Sequence, residues 1–153
     1  MEKVEFSKER GFYDASFNLT LACTTSGANI YYTIDGRNPV VGEVNTPTSI
    51  RYTSPISVTG TTYIRAATLR TGWKPSPIET HTYIFGASSA IKAMPLVSLV
   101  GDPNQTFYEP SGIMAIVGGY YSGGVWQSGG TGTYNNVMQR GIAYERPVSF
   151  EII

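Results

Sequence analysis

From Val4 to Phe85, apolar and polar residues alternate in short runs. "FNLTLAC" puts Phe17, Leu19, Leu21 and Cys23 on one face and Asn18, Thr20 and Ala22 on the other. "NIYYTID" does the same with Ile30, Tyr32 and Ile34 against Tyr31, Thr33 and Asp35. "PISVTG" follows, then "TTYIRAATLR", where Ile64, Ala66 and Thr68 alternate with Tyr63, Arg65, Ala67 and Leu69, and "ETHTYIF" closes the set. A period of two with polar outer positions predicts antiparallel strands that bury one side. Turn signals separate them at Ser26-Gly27, Asp35-Gly36, Thr59-Gly60 and Thr71-Gly72. Roughly seven short strands at this spacing predict a small antiparallel β-sandwich in an all-β chain.

The rhythm changes after residue 86. Residues 87–94 read as a linker in which "SSAIKAM" forms one helical turn. "LVSLVGDP" is a continuous apolar run, which predicts a strand covered on both faces. "GGYYSGGVWQSGGTGTYNN" has no apolar period and is expected to be a long Gly/Tyr-rich loop. "ERPVSFEII" is a strand. Residues 95–153 are therefore an irregular, incomplete β segment. Two strands around a loop bury too little to fold alone. The first domain, a partner chain or residues outside this sequence must complete them.

Charge narrows the list of partners. Eleven basic residues balance eleven acidic ones, and charged residues are only 14% of the 153. Nothing here points to nucleic acid or to an anionic membrane surface. No apolar run reaches the roughly 20 residues of a membrane helix. "EKVEFSKER" after Met1 is too charged for a signal peptide. Cys23 is the single cysteine, so no disulfide forms within the chain.

Few residues carry chemistry. Asp35 and Gly36 end a strand abruptly, since Gly tolerates positive φ and Asp accepts from amides two residues on. Pro39 cannot donate to a ladder and blocks pairing beyond that turn. These three read as structural. His81, the single histidine, reads as an exposed or edge-strand residue, because zinc or a catalytic triad needs partners the chain lacks. Cys23 reads as a buried small hydrophobe. Asp102, Asn104 and Glu109 offer oxygen ligands for calcium but lack the alternating acidic loop of an EF-hand. The scattered carboxylates, Glu145 among them, show no catalytic pairing. The stretch from Gly118 to Gly132 lacks the Gly-Lys-Ser/Thr of a phosphate loop. Trp73, Tyr120, Tyr121, Trp126 and Tyr134 are the aromatics placed to meet a sugar face or a protein partner. No cofactor is expected, and no catalytic constellation within these residues.

Two stretches resemble known families. "SGANIYYTIDGRNP", "RYTSPISVTGTTYIRAATLRTGWKPS" and "ETHTYIF" resemble the non-catalytic C-terminal domain of chitobiase and β-hexosaminidase, also described as fibronectin-III-associated. The matching positions are Gly27, the corner from Tyr32 to Pro39, Tyr52 to Ile56, Arg65-Ala66, and Gly72 with Ser76. The resemblance implies an immunoglobulin/fibronectin-III-like sandwich, an accessory module of secreted or envelope proteins, and hence an extracellular or cell-envelope location. "MPLVSLVGDPNQTFYEPSGI" and "AYERPVSFEII" resemble the opening of a CotH-type, kinase-like spore-coat domain, whose catalytic acidic residues would lie beyond Ile153.

Three functions follow as expectations. The first is a non-catalytic module that docks to neighbouring domains or subunits, including identical copies. The second is polysaccharide binding by the exposed Trp and Tyr residues. The third is the first fragment of a CotH-type kinase.

Overall fold

The computed structural model describes residues 1–108, 112–114, 119–128 and 141–153. In chain order the strands are β1 (Glu5–Phe6), β2 (Gly11–Tyr13), β3 (Phe17–Leu19), β4 (Leu21–Ala22), β5 (Asn29–Thr33), β6 (Val40–Val41), β7 (Val44–Asn45), β8 (Ile50–Arg51), β9 (Ile56–Val58), β10 (Thr62–Leu69) and β11 (Glu79–Phe85). A one-turn helix α1 (Ser89–Lys92) precedes β12 (Val97–Val100), β13 (Gly119–Ser122), β14 (Val125–Ser128) and β15 (Ser149–Ile152).

One layer is a five-stranded sheet in the order β2-β11-β10-β5-β8. Facing it are two strand pairs, β1 with β4 and β3 with β9. The predicted alternation fills the space between them: Leu19, Leu21 and Val58 from one side meet Ile64, Ala66 and Tyr83 from the other. Each large apolar side chain buried here contributes about 1.5–3 kcal/mol. Tyr13, Phe17 and Tyr83 interlock as an aromatic edge to this core, with Phe17 4.6 Å from Tyr13 and 5.3 Å from Tyr83. The all-β, immunoglobulin-like sandwich is thus present.

One pair departs from the antiparallel expectation. The first segment crosses between layers, pairing with β4 as β1 and then running parallel to β11 as β2. Gly11 sits at the crossing with φ 153°, a backbone region essentially limited to glycine.

The chain forms two compact units. The first is Met1–Val100 together with Ser149–Ile153, and the second is Gly101–Val148. β12 and β15 pair antiparallel, so the last strand returns to the first unit.

Two further expectations are corrected. β12 is covered on one face only: Val97 and Leu99 are 53% and 51% exposed while Val100 is buried. Among the described residues of the first unit it has a single layer behind it and none in front. Part of the predicted Gly/Tyr loop is a hairpin, β13 against β14, turning at Gly123 and Gly124 with φ 59° and 76°. The glycines that hid any apolar period are what allow the two-residue turn.

Within the second unit, Thr106 is buried and donates to the Pro147 carbonyl at 3.0 Å. A Cβ at Gly101 would lie 2.6 Å from the Thr106 hydroxyl, so only glycine fits there. A π-helical turn spans Pro103–Phe107 and a short 3₁₀ turn spans Ile142–Tyr144.

Candidate functional site

The Asp-Gly corner is built from local hydrogen bonds. Asp35 Oδ1 accepts from the Arg37 amide at 3.1 Å, and its Oδ2 meets the Arg37 guanidinium at 2.9 Å. Thr33, fully buried at the end of β5, donates to the Arg37 carbonyl at 2.6 Å. Gly36 takes φ 82°, and Pro39 is fully buried just beyond. Every polar side chain named here has a partner inside the turn.

Arg65 links this corner to the rest of the unit. It is buried in the middle of β10 and donates to the Gly36 carbonyl at 2.6 Å. Its Nε reaches the Thr80 hydroxyl and its other terminal nitrogen reaches the Ser149 hydroxyl, each at 3.4 Å. Thr80 and Ser149 are themselves 2.8 Å apart. A guanidinium suits this position because its fork presents donors in several directions at once.

β11 continues the polar array. Thr82 donates its hydroxyl to Glu151 Oε2 at 2.5 Å and its amide to Oε1 at 3.2 Å. Since that hydroxyl proton is used, Ser98 is the donor in the 2.8 Å contact between Ser98 and Thr82. Arg10 approaches Glu151 Oε1 at 3.2 Å. Glu151 is 2% exposed, so its charge is balanced by these groups rather than by water. Beside it His81 stacks on Phe6, with ring centroids 4.1 Å apart and planes 7° from parallel. His81 Nδ1 faces the Lys8 carbonyl at 3.3 Å, which places a proton on that nitrogen. Burial first, then Arg10, push the imidazole below its usual pKa. Burial likewise pushes the Tyr83 phenol well above its usual value, while its hydroxyl donates to the same Lys8 carbonyl at 3.0 Å.

The pair β12–β15 thus forms a ribbon whose polar face, with Ser98, Ser149 and Glu151, lies against β11. The opposite face is apolar and open. Val97 pairs with Ile152 and Leu99 with Phe150, and Phe150 and Ile152 are 59% and 65% exposed. The ribbon's one charged side chain, Glu151, is on the inner face, so the outer face carries no charge at all. This arrangement reverses the usual sheet, where the apolar face turns to the core.

The comparison with protein families matches residues 8–80 to the Chitobiase/beta-hexosaminidase C-terminal domain. Residues 8–80 are a chitobiase/beta-hexosaminidase C-terminal domain. The comparisons with curated proteins and with solved structures found no match. The family match ends at residue 80 and carries nothing about a CotH-type domain in residues 95–153.

Within the chitobiase-type domain, Trp73 is 49% exposed at a turn, and the Arg70 guanidinium lies 4.8 Å over its ring. Arg70 is in turn held by the Ser26 carbonyl at 3.0 Å. His81 is buried rather than exposed, because β2 and the β1–β2 connection cover the edge it was expected to occupy. Cys23 is half-buried, since β4 ends at Ala22 and the chain leaves the layer there. Its sulfur accepts from the Thr25 amide at 3.3 Å.

Outside that domain, Asp102 caps the π-helical turn, accepting from the Asn104 and Gln105 amides at 2.9 and 3.2 Å. The carboxylate proposed for calcium is thus engaged by backbone. Glu109 lies outside the described residues, and among the described residues no three metal-ligating side chains gather. Tyr120 and Tyr121 are on β13 and Trp126 is on β14, where Tyr121 and Trp126 are cross-strand partners. Tyr134 lies outside the described residues.

Sequence reading missed Arg10 and Glu151 and knew Arg65 only as part of a motif. The signal was present in "SFEII", which places Ser149 and Glu151 on one face and Phe150 and Ile152 on the other, and in the lone polar Ser98 of "VSLV". Which face turns inward depends on Thr80, Thr82 and Arg65, and periodicity does not report that.

Proposed function

We propose that the chain serves as a non-catalytic accessory module that docks to a neighbouring domain of the same polypeptide through the outer face of the β12–β15 ribbon. The family supports the coarse part, since it is an accessory β-sandwich. One observation carries the finer part: Val97, Leu99, Phe150 and Ile152 form two cross-strand apolar pairs in solvent on a strand pair whose polar face is buried. Contiguous exposed apolar side chains without charge mark contact surfaces. A modest patch suits a domain tethered nearby, where effective concentration reaches about the millimolar range. The module works outside the cell on this reading, as the family does in extracellular glycosidases. No helix among the described residues is long and apolar enough to cross a membrane.

The test is a photo-reactive diazirine side chain placed at Leu99 or Phe150 in the full natural polypeptide. Cross-links from these positions into another domain of the same molecule are expected. Cross-links only to a second copy, or only to solvent, contradict the reading.

A further inference from the structure

The two layers of the sandwich are held by apolar burial, but the ribbon is not. Of its apolar residues, Val100 is buried and Val97, Leu99, Phe150 and Ile152 are not. What joins it to β11 is Ser149 on Thr80 at 2.8 Å, Ser98 on Thr82 at 2.8 Å, and Glu151 on Thr82 at 2.5 and 3.2 Å. Arg65 adds a guanidinium contact to Ser149 at 3.4 Å. Hydroxyl pairs of this kind exchange for water at little net cost when two surfaces part. Burying the apolar outer face is not lost on parting, because that face is already wet.

Glu151 differs from the hydroxyls. It reaches two separate elements, β11 through Thr82 and the β1–β2 connection through Arg10 at 3.2 Å. A buried carboxylate tolerates only the geometry that keeps its partners in place. It therefore fixes where the ribbon sits. Lifting the ribbon returns that carboxylate to water, which removes the cost of its burial along with its contacts.

We propose that the β12–β15 ribbon is a strap that opens from the sandwich while the sandwich stays folded, and that Glu151 is its latch. Opening uncovers Thr80, Thr82 and the Arg65 guanidinium on the outer side of the five-stranded sheet. It gives the module a second polar surface beneath the first apolar one. This holds whatever the outer face of the ribbon meets.

Hydrogen exchange on the 153-residue chain, read by mass spectrometry, tests it. Amides of β12 and β15 are expected to exchange about tenfold or more faster than those shared by β10 and β11. Glu151→Gln keeps the size of the side chain and removes the charge. It should speed the ribbon amides by about a further tenfold, the factor for a lost charge-assisted bond, and leave β10 unchanged. Arg10→Met, which removes the other partner, should act in the same direction. Ribbon and β10–β11 amides exchanging at one common rate in the parent would overturn the strap. A Glu151→Gln chain with unchanged ribbon exchange, or with both regions accelerated equally, would overturn the latch. Loss of the folded sandwich in both variants would also overturn it, by making the contact part of the global fold.

Discussion

The guanidinium of Arg65, buried in β10, donates across 2.6 Å to the carbonyl of Gly36 at the corner that ends β5. One side chain thereby ties the corner to Thr80 and to Ser149 on the last strand. Arg65→Met keeps the apolar stem and removes the fork, leaving the Gly36 carbonyl short of a charged donor. The expected loss is about 2–3 kcal/mol, typical for a hydrogen bond from a charged group in a buried setting. Arg65→Lys should recover only part of it, because an ammonium cannot reach all three acceptors. Denaturant midpoints measure both, and an unchanged midpoint in Arg65→Met contradicts the assignment.

The corner itself makes a paired prediction. Asp35→Ala deletes the acceptor of the Arg37 amide and should cost about 1 kcal/mol. Gly36→Ala forces a Cβ into φ 82° and should cost about 1–2 kcal/mol. Thermal unfolding of the two variants gives the comparison. Neither change should alter binding of any ligand, since the corner's groups are already paired with one another.

His81 sets a pH dependence. Burial, with Arg10 next in size, holds its folded-state pKa below the usual value of about 6.5. The unfolded chain therefore binds the proton more readily than the folded one. Stability from this group is fully present above about pH 6.5 and falls as pH drops toward the lower folded value. Urea midpoints between pH 7.5 and pH 5.5 should decline in the parent and decline less in His81→Gln. Parallel pH profiles for the two chains would remove His81 as the cause.

The outer face of the ribbon should be dispensable to folding. Leu99→Ser and Phe150→Ser replace side chains that are half exposed or more. Each should leave the unfolding free energy within about 0.5 kcal/mol of the parent, the usual range for surface sites. Binding of an apolar dye to the folded chain should fall in both. A loss of several kcal/mol would place these residues in a core that the fold does not show.

Much of the sandwich was legible from the alternation along its strands, although β10 and β11 are buried on both faces, from Ile64 to Thr68 and from Thr80 to Tyr83. Leu19, Leu21, Ile64 and Ala66 lie where alternation puts them. The parallel β2–β11 pair was not legible, because it depends on a layer crossing at Gly11 that a local pattern does not encode. The ribbon was misread for a related reason. "LVSLV" looks apolar throughout, yet Ser98 is the residue that matters for its seating, and its partner Thr82 lies 16 positions away. Glu151 was invisible as a buried carboxylate, since its stabilising contacts come from Arg10 and Thr82, far off in the chain. His81 was misplaced because the strand covering its edge arrives from the first dozen residues.

Reactivity at position 150 tests the docking account most directly. A Phe150→Cys chain is labelled with a water-soluble thiol reagent, once as the 153 residues alone and once within any longer polypeptide in which they occur naturally. The account predicts rapid labelling in the isolated chain and at least about tenfold slower labelling in the intact polypeptide, as a neighbouring domain covers the site. Equal labelling rates in the two would contradict it.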